Sequence, residues 1–156
     1  MGKEIERKFL LASERWREEV ERSTPMVQGY LAGSAEASVR VRISGEQAHL
    51  NLKSATLGIE RDEFEYEIPL ADGKAILKRL CGERTIEKTR HYVKANHFLW
   101  EIDEFSGANQ GLIVAEVELD ATDTVLTLPD WIGEDVSADP RYYNVALVEN
   151  PYGSWG

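Results

Sequence analysis

The chain contains a single cysteine, Cys81, which rules out an intramolecular disulfide and any metal site built from a cysteine cluster. Cys81 sits in the run Ile76–Gly82, at the end of a helical signal, where a buried small hydrophobe is expected rather than a nucleophile. No apolar stretch approaches the roughly 20 residues that span a bilayer, so no membrane association is expected. The start of the chain is charged from Lys3 onward, and Gly2 is not followed by the serine or threonine of a myristoylation site. The expected location is cytoplasmic. There is no Walker loop and no Gly-x-Ser-x-Gly elbow, and His49, His91 and His97 form no pair at helical ligand spacing. P-loop and serine-hydrolase chemistry are therefore unsupported. Cations are in deficit, with 18 Lys and Arg against 28 Asp and Glu and a net charge of −10. That balance argues against a nucleic-acid partner, which a basic field would attract, but not against a small anionic ligand.

What the chain does have is alternation. In Glu4-Ile5-Glu6-Arg7-Lys8-Phe9 the ionisable Glu4, Glu6 and Lys8 fall on one face of a strand, with Ile5 and Phe9 on the other. The pattern recurs at Arg40 and Arg42, Asn51 and Lys53, Arg61, Glu63 and Glu65, Lys88 and Arg90, Glu101 and Asp103, and Glu116 and Glu118. An antiparallel sheet with one wet face also alternates charged and apolar residues. Repetition argues against that simpler reading, as does the scarcity of Ser and Thr at these positions. The opposite faces carry Val39, Val41 and Ile43, Leu50 and Leu52, Phe64, Tyr66 and Ile68, Trp100 and Ile102, and Val117 and Leu119.

With 156 residues, 42% hydrophobic and 29% charged, the composition is globular and a single domain over 1–156 is expected. Period-two segments predict strands at 3–11, 25–32, 37–44, 47–53, 60–69, 84–94, 97–105 and 111–119. Ser44-Gly45 and Ala95-Asn96 read as tight hairpin turns, while Gly33-Ser34, Thr56-Leu57-Gly58 and 107–111 read as longer ones. Helical signals lie at Glu14–Arg22, at Lys74–Leu80 with Gly82 as a stop, at a short turn from Asp120 or Thr122 through Leu126, and at Asp139-Pro140. The predicted fold is mainly β (α+β): an eight-stranded antiparallel closed barrel with its charged face inward and a few helices outside. The apolar outer face would then be covered by helices or a partner, which makes a homodimer plausible. The four tryptophans are expected to be packing residues.

Carboxylates beside cations on successive strands suit a metal-bridged polyphosphate site. Arg40, Arg42, Lys53, Lys88 and Arg90 are the candidate phosphate clamp, with Lys8 and Arg61 as additional members. Glu4, Glu6, Glu116 and Glu118 are the first candidates for holding one or two Mg²⁺ or Mn²⁺ ions. Asp103, Glu63, Glu65 and Glu101 are candidates either for the metal or for orienting the clamp.

The opening Glu4-x-Glu6-x-Lys8 resembles the signature of the CYTH superfamily, the triphosphate tunnel metalloenzymes. The likeness continues through Gln28-Gly29-Tyr30-Leu31, Val39-Arg40-Val41-Arg42, Leu52-Lys53, 63–68, 87–90, Glu101-Ile102-Asp103, Ala115-Glu116-Val117-Glu118 and 131–136. The resemblance implies a tunnel, a divalent metal and a linear triphosphate substrate. It also implies that Lys8, Tyr30, Glu4 and Lys88 act closest to the reaction, with Tyr30 reaching toward Lys8. The short bacterial members that share the Gln-Gly-Tyr-Leu segment look like inorganic tripolyphosphatases, which makes hydrolysis of tripolyphosphate to pyrophosphate and phosphate the expected activity. Thiamine triphosphatases, nucleotide triphosphatases and class IV adenylyl cyclases are the enzymatic alternatives, and a non-catalytic polyphosphate sensor is another.

Overall fold

Alternating charge and β-branched or aromatic residues give long antiparallel strands, and these carry the fold. In a computed structural model, residues 3–34, 36–54 and 59–155 are described. The predicted turn at Thr56-Leu57-Gly58 lies outside these residues. The strands are β1 (Glu4–Leu11), β2 (Arg22–Gly33), β3 (Ala37–Ser44), β4 (Gln47–Ser54), β5 (Glu60–Arg61), β6 (Glu63–Ile68), β7 (Thr85–Ala95), β8 (Phe98–Phe105), β9 (Ile113–Glu118) and β10 (Ile132–Asp135). They pair in the order β10-β1-β9-β8-β7-β2-β3-β4-β6.

A single run of chain closes the sheet. β5 pairs with β1 through Glu4 opposite Arg61, and after a break at Asp62 the same run continues as β6, paired with β4. Counted as one strand, β5 and β6 complete a ring of eight among the described residues. β10 is a ninth strand, laid beside the far half of β1 at Phe9 and Leu11. It is too short for alternation to reveal. The hairpin turns fall one residue later than predicted. Asn96 and His97 both adopt positive φ (52° and 71°), and Gly45 does so at 61°, the left-handed conformations that two-residue hairpins need.

The helices depart further from expectation. Only a 3₁₀ turn forms at Arg15–Glu19, because the chain is already committed to β2 from Arg22. α1 (Leu70–Ile76) begins right after Pro69, runs on as a wider π-type turn over Leu77–Cys81, and stops at Gly82, where φ is +59°. No helix forms at 120–126, where Thr124 N–H closes a turn on the Ala121 carbonyl. The Asp139-Pro140 start gives a 3₁₀ turn at Pro140–Tyr142, followed by a helix the sequence did not suggest, α2 (Asn144–Glu149). No helix among the described residues is long and apolar enough to cross a membrane.

Outside the ring, Phe9, Val93, Trp100, Ile102, Ala115 and Val117 form a core closed over by Trp16 and Trp131. These aromatics come from the 3₁₀ turn after β1 and from the loop before β10. α1 packs on β3 and β4 so closely that a Cβ on Gly73 would stand 2.6 Å from the Ala48 Cβ. A Cβ on Gly29 would meet Cys81 Sγ and a Leu77 methyl, each at 2.7 Å. Gly29→Ala is therefore expected to destabilise the protein by about 1–3 kcal/mol through overpacking, measurable as a lower urea midpoint. Phe64 and Tyr66 on β6 stay 43% and 57% exposed, so the outer apolar face is only partly covered.

The interior is divided along its length. Tyr30, Ile86, Phe105 and Val114 share the inward face with the charged residues, but they cluster at one end with Leu112, Val136, Tyr142 and the α2 residue Leu147. Arg84 pairs with Glu149 at the far end of α2. The C-terminal segment thus fills one end of the barrel and turns the expected open tunnel into a cavity with a floor.

Candidate active site

Strand register decides which charges meet. Glu6 lies opposite Glu118 and Lys8 opposite Glu116 on β1 and β9, Glu101 opposite Glu116 on β8 and β9, and Arg90 opposite Asp103 on β7 and β8. Ring closure brings all of these around one cavity of about 270 Å³. Every candidate residue except Asp103 lines it: Glu4, Glu6, Lys8, Tyr30, Arg40, Arg42, Lys53, Arg61, Glu63, Glu65, Lys88, Arg90, Glu101, Glu116 and Glu118. Ser38, Tyr143, Asn144 and Val145 complete the wall.

Asp103 sits behind that wall, fully buried, with both oxygens committed. Oδ1 accepts from Arg90 Nε at 2.8 Å and Oδ2 from an Arg90 terminal nitrogen at 2.9 Å, while Lys88 Nζ stands 2.7 Å from Oδ2. Even though burial alone would raise it, the Asp103 carboxyl is held below its ordinary pKa by Arg90 and Lys88. Its geometry is that of a group that aims two cations. A second chain of contacts does the same for Arg40, whose Nε donates to Asn51 Oδ1 at 3.4 Å while Asn51 Nδ2 donates to Glu65 at 2.8 Å. Gln28 accepts from Arg42 Nε at 3.2 Å and donates to the Tyr30 hydroxyl at 3.1 Å.

The cations crowd one another. Burial, with Arg40 and Arg90 nearby, pushes Arg42 down to about 10. Burial outweighs Asp103 at Lys88 and pushes its ammonium down to about 7. The carboxylates crowd in the same way. Burial, together with Glu116 and Glu4, raises Glu6 well above the usual range, and burial with Glu4 and Glu63 raises Glu118. Lys53 is the local counter-charge, 3.2 Å from both Glu4 and Glu63. Glu116 is different: Lys8 at 3.7 Å and Arg90 at 3.9 Å help hold it well below its ordinary value against the effect of burial. Burial thus outweighs counter-charge at Arg42 and Lys88 on the cationic side and at Glu6 and Glu118 on the acidic side, whereas Arg90 is held charged, against burial, by Asp103, Glu101 and Glu116.

That imbalance is also a test of whether a metal fits. Glu4, Glu6 and Glu118 present hard oxygen donors that repel one another, which a divalent cation would relieve. Among the described residues no three acidic or imidazole groups already converge on one point. The donor set thus suits an ion that completes its shell with water and phosphate oxygens, as Mg²⁺ does, rather than one caged by protein.

Lys8 does not meet Tyr30 directly. Its Nζ donates to the Tyr142 carbonyl at 3.2 Å and lies 5.5 Å from the Tyr143 ring centre, and among the described residues no hydrogen bond joins Lys8 to Tyr30. The floor residues Tyr143 and Asn144 had no sequence signal, because they follow a turn and belong to no alternating strand. Asn51 was visible as a member of the alternating pattern beside Lys53, and Gln28 only within the Gln28-Gly29-Tyr30-Leu31 segment, neither with a role in aiming an arginine.

The chain is similar to known proteins along most of its length. An inorganic triphosphatase of Acetivibrio thermocellus is 43% identical over 152 residues, covering 97% of both chains. An inorganic triphosphatase of Nitrosomonas europaea is 35% identical over 149 residues, covering 93% of this chain and 96% of its own. Among solved structures, the inorganic triphosphatase NE1496 superposes with a TM-score of 0.67 at 34% identity, covering 93% of each chain. The CYTH domain pattern matches residues 2–144, which take in the ring and the start of its floor, and the chain belongs to the CYTH domain family.

Proposed function

We propose that the chain, acting as a single domain, is a metal-dependent inorganic triphosphatase that hydrolyses tripolyphosphate to pyrophosphate and phosphate. The observation that carries this reading is the cavity wall itself, one space lined both by the cations Arg40, Arg42, Lys88 and Arg90, which attract anions, and by the carboxylates Glu4, Glu6 and Glu118, which attract cations. A metal-bound polyanion supplies both at once. The two curated relatives, 43% and 35% identical, bear the name of this activity.

Arg40, Arg42, Lys88 and Arg90 bind the phosphoryl oxygens and offset the charge that spreads over them during transfer. Asp103, Asn51 and Gln28 keep these side chains aimed, so that little reorganisation is needed when substrate arrives. Glu4, Glu6 and Glu118, with Glu116 at the junction, would hold Mg²⁺ or Mn²⁺, which would clamp phosphate oxygens and acidify a bound water. In the reaction, a water oxygen bonds to a terminal phosphorus, the bridging P–O bond breaks, pyrophosphate leaves, and the water's proton passes to solvent or a nearby base. Lys8 and Lys53 balance carboxylates at the two sides of the acidic cluster. Asp103 is assigned to orientation and not to the metal.

Phosphate release measured on tripolyphosphate, thiamine triphosphate and ATP under one metal regime tests the assignment. Rapid turnover of tripolyphosphate, abolished by a chelator, is expected. Preference for either organic triphosphate, or cyclic AMP as a product, would refute it. The raised proton affinity of Glu6 adds a pH dependence, because a metal ion must displace that proton. As pH falls through the raised Glu6 value, protons compete better and metal affinity drops. Titration calorimetry with Mg²⁺ in two buffers of different ionisation enthalpy should show proton release on binding, and Glu6→Gln should remove it.

A further inference from the structure

The floor of the cavity belongs to the C-terminal segment, and one of its half-buried side chains keeps an amide donor that no described residue accepts from. Lys88 Nζ donates to Asn144 Oδ1 at 3.2 Å. In its charged form, the one a bound polyanion favours, the ammonium can only donate, so this contact fixes which end of the amide is the oxygen. The Nδ2 group is thereby turned away from Lys88. Among the described residues it has no hydrogen-bond partner, and Asn144 lines the same cavity as Lys88, Tyr30 and Arg40. A neutral donor pair thus stands beside a buried cation at the closed end of an anion-binding cavity.

We infer that Asn144 is a substrate-binding residue whose Nδ2 group donates to an oxygen of the terminal phosphate, an inference that rests on the triphosphatase reading above. A terminal phosphate carries three non-bridging oxygens and an internal one carries two. A floor with both Lys88 and an amide donor therefore favours the end of a phosphate chain over its middle. The same floor closes the cavity behind the substrate, since Leu147 and Tyr142 pack on Ile86, Phe105 and Val114. Asn144 thereby helps set register, holding the chain end so that one particular bridging bond lies near the carboxylates.

The test reads the side-chain amide and, by repeating the Asn144→Ala binding measurement in a Lys88→Met background where the loss should persist, separates direct contact from an effect through Lys88. In ¹⁵N-labelled protein, the Asn144 side-chain amide resonance is assigned by its disappearance in Asn144→Asp, and tripolyphosphate is then titrated in chelator-containing, metal-free buffer. The amide protons should shift as the cavity fills, and calorimetry should show Asn144→Ala binding tripolyphosphate about tenfold more weakly, as for a lost hydrogen bond to a charged group. Pyrophosphate should lose affinity in the same variant. An unmoved Asn144 amide resonance at saturation, or binding by Asn144→Ala within twofold of the parent protein, would overturn the inference. Metal-free binding does not depend on catalysis, so a protein that binds tripolyphosphate without hydrolysing it would sink the triphosphatase reading and leave this test decisive.

Discussion

Asp103→Ala is expected to cost about 3–5 kcal/mol of stability, the range for removing one partner of a buried ion-pair network. The carboxylate is wholly buried and engages Arg90 with both oxygens and Lys88 with one, so its removal leaves two largely buried cations without their shortest-range counter-charge. For a domain of this size the melting temperature should fall by roughly 10 °C. Asp103→Asn should fall between the two, since the amide keeps the shape and one acceptor but loses the charge. The acid limb of the stability curve should change as well. Asp103 is held below its ordinary pKa, so it stabilises the fold above its unfolded-state value, and that contribution is lost as pH falls through the native value. The alanine variant should lack that part of the acid response. Melting curves across the acid range check both claims, and a variant as stable as the parent would show that Asp103 does not hold the clamp.

Lys88→Met is expected to lower kcat/KM for tripolyphosphate by about 10²–10³, the scale for removing one preorganised donor to developing charge. Its effect on stability should be small by comparison. Burial already outweighs Asp103 at this ammonium, bringing it to about 7, and Arg90 still satisfies Asp103 when Lys88 is gone. The same value gives the sign of a pH effect. Bound triphosphate favours the charged ammonium, so binding takes up a proton between about pH 7 and the higher value in the complex, and affinity should weaken as pH rises through that window. In Lys88→Met this part of the pH dependence should vanish. Steady-state kinetics across pH 6–9, alongside melting curves, separate a catalytic loss from an unfolding one. Unchanged kcat/KM in a folded variant would remove Lys88 from the clamp.

The strands and the inward charges were legible because alternation reports directly on which face a residue takes. Lys8, Arg40, Glu116 and Glu118 could be assigned inward from sequence, and all of them line the cavity. Depth was not legible. Asp103 has the same alternation as Glu101, yet Glu101 faces the cavity while Asp103 lies sealed behind it, because Arg90 is its direct cross-strand partner. Nor did alternation distinguish the polar and apolar ends of the interior. Ile86, Phe105 and Val114 each stand two residues from an inward charge on the same strand, so the switch was written in the sequence but could be read only once α2 was seen to pack on them. The C-terminal segment itself was opaque. Its placement depends on tertiary contacts, such as Lys8 Nζ to the Tyr142 carbonyl and Lys88 to Asn144, that no local period encodes.

On the proposed reading, triphosphate and metal share one cavity inside the ring. Anomalous diffraction from crystals soaked with Mn²⁺ and an imido-bridged triphosphate, which resists hydrolysis, tests it most directly. Manganese peaks are expected among Glu4, Glu6 and Glu118, with phosphates reaching from them to Arg40, Arg42, Lys88 and Arg90. Manganese or phosphate bound only on the outer surface, with the ring interior holding water alone, would contradict it.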